Sequence, residues 1–297
     1  MTVSEDILEI GDDSVSVALS RRGAELRALR IAGHDLLWAP DPSVWSGVCP
    51  ILFPIVARVR NDAIRVDNRR YEMPMHGFAA RKIFAVSELG QSRCTLVLTQ
   101  DEDTLRQFPF PFVLSITYAV SNEALDATFQ IRNEDDNSTL PVSLGFHPGF
   151  RWPLEEGAEK SDYSLRFDAD EALVYTRPVE RLIGPARASL PLKDGMLPLE
   201  ERLFDPTGIL IIGSKSRRLS FGRRGGVGVT LDYPDFPQLI LWMRPGSPFL
   251  CIEPCRGYAD PIDFDGDFRD KPGISLIPPR SSLGLRLRIG LTKSSLL

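Results

Sequence analysis

Two of the three histidines and one glutamate occupy settings where acid–base chemistry is within reach. His147 lies in "SLGFHPGFRWPL" (Ser143–Leu154), where Pro148-Gly149 stops a strand directly after the ring. Val142, Leu144 and Phe146 alternate as the apolar face, which leaves Pro141, Ser143, Gly145 and His147 on the other. Ser143 and Gly145 are small, so this second face offers space for a ligand with a proton donor or acceptor at its end. A histidine capping the sheet is the structural alternative. Glu253 lies in "PFLCIEPC", with Phe249 and Cys251 on its face of a strand that is expected to end at Pro254. A carboxylate in so apolar a run loses solvation, which raises its pKa and suits it to act as a general base; an ion pair with Arg256 is the alternative. His76 lies in "YEMPMHGFAARKIFAV", where Pro74 and Gly77 break the strand pattern. Such a loop can present the ring to a ligand, or nearby backbone can satisfy it. His34, in the turn Gly33-His34-Asp35, reads as an exposed hairpin residue.

Other chemistries lack their signatures. There is no H-E-x-x-H, and Cys251-x-x-x-Cys255 has no Cys/His pair at zinc spacing. A two-histidine-one-carboxylate iron site finds no local support. Serine-nucleophile elbows and phosphate-binding glycine loops are missing. Neither a metal nor a cofactor is expected.

The elements that must position these side chains are strands. "ALDATFQIRN" and "SLGLRLRIGL" alternate apolar with polar residues, as do "SVSVALS", "CTLVLTQ", "FVLSITYAV", "VGVTLDY" and "LILWM". Turn clusters such as "GDD", "RNEDDNS", "RRGG" and "RPGSP" separate them. Only "DEDTLRQF" suggests a short helix. Each strand has one face to hide, so two packed antiparallel sheets are the natural solution. No linker or repeat divides the chain, and residues 1–297 read as one all-β sandwich domain. "SLGLRLRIGL" is a strand that could lie at a sheet edge and support a homodimer.

Of 297 residues, 43% are hydrophobic and 25% charged, which is ample for a core. The net charge of −5 comes without a Lys/Arg block, so no nucleic-acid partner is expected. No stretch has the apolar length of a bilayer span, so no membrane partner is expected either. "MTVSEDILEIGDDS" lacks the features of a secretory leader, and four cysteines are too few for a disulfide framework, which makes a reduced cytoplasmic setting the expectation.

Several segments together resemble the aldose 1-epimerase (galactose mutarotase-like) family: "SRRGAELRALRIAGHDLLW" (Ser20–Trp38), "PILFPIVARVRNDAI" (Pro50–Ile64), "MHGFAARKIFAV" (Met75–Val86), "GFHPGF" (Gly145–Phe150) and "PFLCIEPCRGYADP" (Pro248–Pro261). The resemblance implies a large twisted antiparallel β-sandwich with a sugar cleft and no cofactor. It implies interconversion of the anomers of an aldohexose, with Glu253 as base, His147 as acid and His76 binding the sugar. Arg58 is the arginine expected to hydrogen-bond sugar hydroxyls, although "ARVRNDAI" also offers Arg60. No segment matches the mid-chain substrate-binding aspartate of the better-known galactose mutarotases, and Asp232 stands at a different place in the pattern.

Opening a pyranose needs one proton taken from O1 and one given to O5, so Glu253 is expected as carboxylate and His147 as imidazolium. Trp152, close to His147 in sequence, is the aromatic expected to frame the sugar, while Phe146 belongs to the core. Three rival readings remain. A non-catalytic carbohydrate-binding protein would need no acid–base pair. A mutarotase for an anionic sugar, such as a hexose 6-phosphate, would use Arg58, Arg60 or Arg81 as anion partners. A glycoside hydrolase would need two carboxylates, and one stands out.

Overall fold

Alternation fixes the inward faces of the longest strands. In Phe112–Ser121, Phe112, Leu114, Ile116, Tyr118 and Val120 are buried and the residues between them are not. Ala124–Asn133 and Ser282–Leu291 repeat the pattern, and their registers set Phe129 against both Ile116 and Leu285. The computed structural model describes residues 7–292. The opening residues 1–6, part of the stretch read above for a leader, lie outside that range.

Two large antiparallel sheets result. One has nine strands, in the order Met196–Pro198, Tyr163–Phe167, Arg218–Arg223, Gly228–Asp232, Ser282–Leu291, Ala124–Asn133, Phe112–Ser121, Arg93–Thr99 and Ala85–Leu89. The other has eight: the path Ala188–Ser189, Val174–Thr176, Ile209–Ile212, Gln238–Trp242, Phe249–Arg256, Leu144–Phe146 and Ile51–Leu52, with Gly149–Arg151 pairing off it. Their inner faces share one apolar core, bridged by ring contacts such as Phe129–Phe146 at 5.7 Å and Phe150–Phe221 at 6.3 Å. The short helix is Glu102–Gln107, capped by the Asp101 side chain, which accepts from the Thr104 backbone N–H at 2.7 Å.

Two expectations are corrected. Ser282–Leu291 is not an outer strand of its sheet: it pairs with Ala124–Asn133 along most of its length and, from Arg288 to Leu291, with Gly228–Asp232, and Arg288 pairs with Asp126 at 2.5 Å. The strand carrying Glu253 does not end at Pro254 but runs from Phe249 to Arg256. The Ile252 N–H donates to the Pro148 carbonyl at 3.2 Å. Residues two apart in a ladder point their N–H groups to the same side, so the missing N–H of Pro254 faces a neighbour that is already interrupted.

Candidate active site

Strand register brings the acid–base candidates together. The segments on either side of His147 pair with the same strand: Gly145 with Cys255, and Gly149 with Cys251. That register sets His147 directly opposite Glu253, on one face of the sheet. Pro148 breaks the ladder there and frees the ring to turn outward. His147 Nε2 lies 3.3 Å from Glu253 Oε1, with side-chain exposures of 8% and 2%. Arg256, the alternative partner, bonds instead to Ser275 Oγ at 2.7 Å and to the Asp235 carbonyl.

Burial decides the protonation of this pair. It raises the Glu253 carboxyl well above the ordinary carboxylate range. Burial, and then the neighbouring His76, push His147 down to about 3. Both shifts favour the uncharged forms of the two groups, opposite in direction to the standing imidazolium and carboxylate that the acid–base reading expects. The couple still holds one transferable proton.

His76 arrives from the irregular loop, as the Pro74/Gly77 punctuation predicts. Its backbone takes the left-handed region (φ 64), as does that of Ala57 opposite (φ 59). The two residues clasp each other: the His76 N–H donates to the Ala57 carbonyl at 2.7 Å, and the Ala57 N–H donates to His76 Nδ1 at 3.2 Å. Nδ1 is thus an acceptor, so the neutral ring carries its proton on Nε2. Burial lowers its pKa to about 4, which keeps it in that form. Its centroid lies 5.8 Å from that of His147. Gly77 is required next door, because a Cβ there would meet the Phe53 carbonyl oxygen at 2.2 Å.

These residues line a cavity of about 470 Å³, the size of a small-molecule site. Its floor follows from pairing across the sheet: Leu210 lies opposite Ile240, and Ile240 opposite Glu253. Trp45 and Trp242 flank the histidine, with centroids 5.2 and 6.0 Å from His147. Arg58, Arg181, Thr207 and Tyr258 add polar groups to the wall. Arg58 is fixed by Asp62, which accepts from Nε at 2.5 Å and from Nη2 as well. Arg181, by contrast, makes no hydrogen bond among the described residues.

Four expected contributions to the cleft are corrected. Trp152 is fully buried elsewhere, donating its Nε1–H to the Lys160 carbonyl at 3.0 Å and packing on Phe204. Ser143 and Gly145 do not leave room for a ligand. A Cβ on Gly145 would lie 2.9 Å from Leu52 and 3.0 Å from Cys255, so the small face accommodates neighbouring strands. Arg60 lies outside the cleft, along a separate concavity with Arg65 and Arg70, and its backbone N–H donates to Asp260. Arg81 donates to the Gly77 carbonyl at 2.6 Å, away from the cleft.

Sequence reasoning missed Trp45, Trp242 and Arg181. Trp242 carried a usable signal, since it alternates with Ile240 in "LILWM" and so shares its face. Trp45 follows a turn in which its N–H donates to the Asp41 carbonyl, and nothing local points it at His147.

The family profile described as aldose 1-epimerase matches residues 6–222, which include His76 and His147. The chromosomal LacX protein of Lactococcus lactis is 29% identical over 288 residues, spanning 92% of this chain and 95% of that protein. A galactose mutarotase related enzyme from Lactobacillus acidophilus superposes with a TM-score of 0.91 at 26% identity, covering 97% of this chain and 98% of the other. A galactose mutarotase-like protein from Lactobacillus casei gives 0.90 at 27% identity, covering 96% and 100%.

Proposed function

The chain belongs to the aldose 1-epimerase family, and from that membership we propose that it interconverts the α and β anomers of an aldohexose. The observation that carries this reading is the His147–Glu253 couple, buried at 3.3 Å on the floor of the cleft. In the proposed reaction Glu253 accepts the O1 proton while His147 donates one to the ring oxygen O5. The C1–O5 bond breaks, giving the open-chain aldehyde. Rotation about C1–C2 and reversal of both transfers then close the ring on the other face. Moving the shared proton from Glu253 to His147 changes no net charge. A sugar hydroxyl donating to Glu253 and a ring oxygen accepting from His147 both favour that shift, offsetting the burial that opposes it. His76 Nε2–H and the Arg58 guanidinium supply donors for sugar hydroxyls, and Trp45 and Trp242 supply flat surfaces for the pyranose.

Glu253→Gln and His147→Asn each lower catalysed anomer exchange at least about a hundredfold while the circular dichroism spectrum stays native. Polarimetry or NMR saturation transfer with glucose and galactose, corrected for buffer exchange, measures this. Near-wild-type turnover in either variant removes that residue from the role, and sugar binding without rate gain indicates a non-catalytic carbohydrate-binding protein. In wild type the acid limb of kcat/KM lies below the ordinary imidazole value of about 6.5, because His147 is held near 3.

One observation favours a second reading, an anionic sugar as substrate. Asp62 is bonded to Arg58 and only attracts Arg181 through space, so Arg181 stands on the cleft wall with no hydrogen bond among the described residues. It is presented by a tight hairpin, Pro178–Val179 to Leu182–Ile183, whose turn residues Glu180 and Arg181 have φ of 50 and 69. On this reading Arg181→Ala lowers kcat/KM for a hexose 6-phosphate about 10–100-fold, the worth of one charge-assisted hydrogen bond, and leaves the neutral hexose unchanged. Equal loss on both substrates refutes it.

A further inference from the structure

The proposed reaction uses His147 and Glu253 but has no task for the thiol beside them. Cys251 lies two residues before Glu253 on the same strand, fully buried and directly opposite both Trp242 and Gly149. One ligand atom from each of His147, Cys251 and Glu253 lies within 4.8 Å of the other two. From this juxtaposition we propose that the three side chains form a binding site for a thiophilic divalent cation, zinc(II) being the best match, and that occupation blocks the cleft.

The geometry is close to what zinc requires. Tetrahedral zinc holds nitrogen and oxygen at about 2.0–2.1 Å, which places those two ligands about 3.4 Å apart. His147 Nε2 and Glu253 Oε1 are already 3.3 Å apart. A zinc–sulfur bond of about 2.3 Å asks the thiolate to close by roughly an ångström, within reach of a cysteine rotation. Imidazole, thiolate and carboxylate are the donor set of an open zinc site, with the fourth position left for solvent on the cleft side.

Charge supports the same assignment. Zinc takes His147 as a neutral imidazole and Glu253 and Cys251 as carboxylate and thiolate. Carboxylate and thiolate then cancel the ion's charge, leaving no net charge in the buried site. Affinity therefore rises with pH. His147 Nδ1 has no hydrogen-bond partner among the other described residues, so no hydrogen bond at that nitrogen has to be broken for Nε2 to bind the metal.

Binding does not depend on the catalytic reading, and the test separates the two. Chelator-treated full-length protein is titrated with cobalt(II) and zinc(II) near pH 7.5. We expect one ion per chain and, with cobalt, the sulfur-to-metal charge-transfer band of a thiolate site. Cys251→Ala should abolish the band and weaken zinc at least about a hundredfold, given that loss of outer-shell partners alone costs about 10–100-fold. Cys251→Ser serves as a second, volume-preserving variant, and Cys49→Ala, at another buried thiol, keeps the band. If the protein exchanges anomers, zinc inhibits the wild type, sugar protects, and Cys251→Ala remains active and resists inhibition. Absence of a thiolate band, a band that survives both Cys251 variants, or a band lost in Cys49→Ala instead overturns the assignment, whatever the activity proves to be.

Discussion

His76→Asn tests whether the substrate-facing histidine is held neutral, and it isolates charge from shape. Asparagine tolerates a left-handed backbone, and its Oδ1 takes the place of Nδ1 as acceptor for the Ala57 N–H. The variant therefore keeps the loop and loses only the titrating ring. In the folded protein burial holds His76 at about 4, against an ordinary 6.5. Between those values the unfolded chain binds more protons than the native one. Stability from this residue is thus complete above the unfolded pKa and is lost as pH falls toward the folded one. At about pH 4.5 the loss from His76 is roughly 2.5 kcal/mol relative to pH 7.5, an upper figure because the ring is partly open to the cleft. Urea unfolding of wild type and variant at both pH values reads it directly: the stability gap between them should shift by about that amount in favour of the variant on acidification. Imidazole NMR gives an independent reading, with no His76 transition near 6.5. An identical pH dependence in both proteins, or a ring titrating at its ordinary value, refutes the neutral-donor argument and with it the assignment of Nε2–H as a hydroxyl donor.

The two tryptophans should separate cleanly. Trp45→Ala removes a half-buried surface beside His147 and raises KM at least about tenfold with modest loss of stability, whereas Trp152→Ala empties a core site, costs about 3–5 kcal/mol and leaves KM of the folded protein unchanged. Gly145→Ala forces a methyl group against Leu52 and Cys255. It should cost about 1–3 kcal/mol in chemical denaturation and lower kcat more than it changes KM, because the displaced strand carries His147 toward Glu253. A neutral effect on stability would show that the strands at Gly145 are not closely packed.

What could be read from the residues was periodicity, and it reached as far as single strands. Phe112–Ser121 and Ala124–Asn133 declare their buried faces without reference to anything else. The irregular setting of His76 was equally legible, because proline and glycine act locally. Pairing is another matter. That Gly145 faces Cys255 and Gly149 faces Cys251 is a statement about two segments about a hundred residues apart, and the opposition of His147 and Glu253 follows from nothing less. The same blindness explains the errors. Trp152 is near His147 in sequence yet is carried away by the strand that begins at Gly149, while Trp45, far from it in sequence, lies tilted against the ring.

Side-chain size on a strand face is ambiguous for a related reason: a glycine marks close approach, and only tertiary structure says whether ligand or backbone approaches. Here it is neither: the space beside Gly145 is taken by the side chains of Leu52 and Cys255 on the flanking strands. Gly145 leaves room for Leu52 and Cys255 to fill the sheet surface beside His147, which faces Glu253 at 3.3 Å with almost no access to water. The small residue therefore serves the chemistry indirectly. Close packing of this kind is what buries the pair, and burial moves both groups toward their uncharged forms before any sugar arrives.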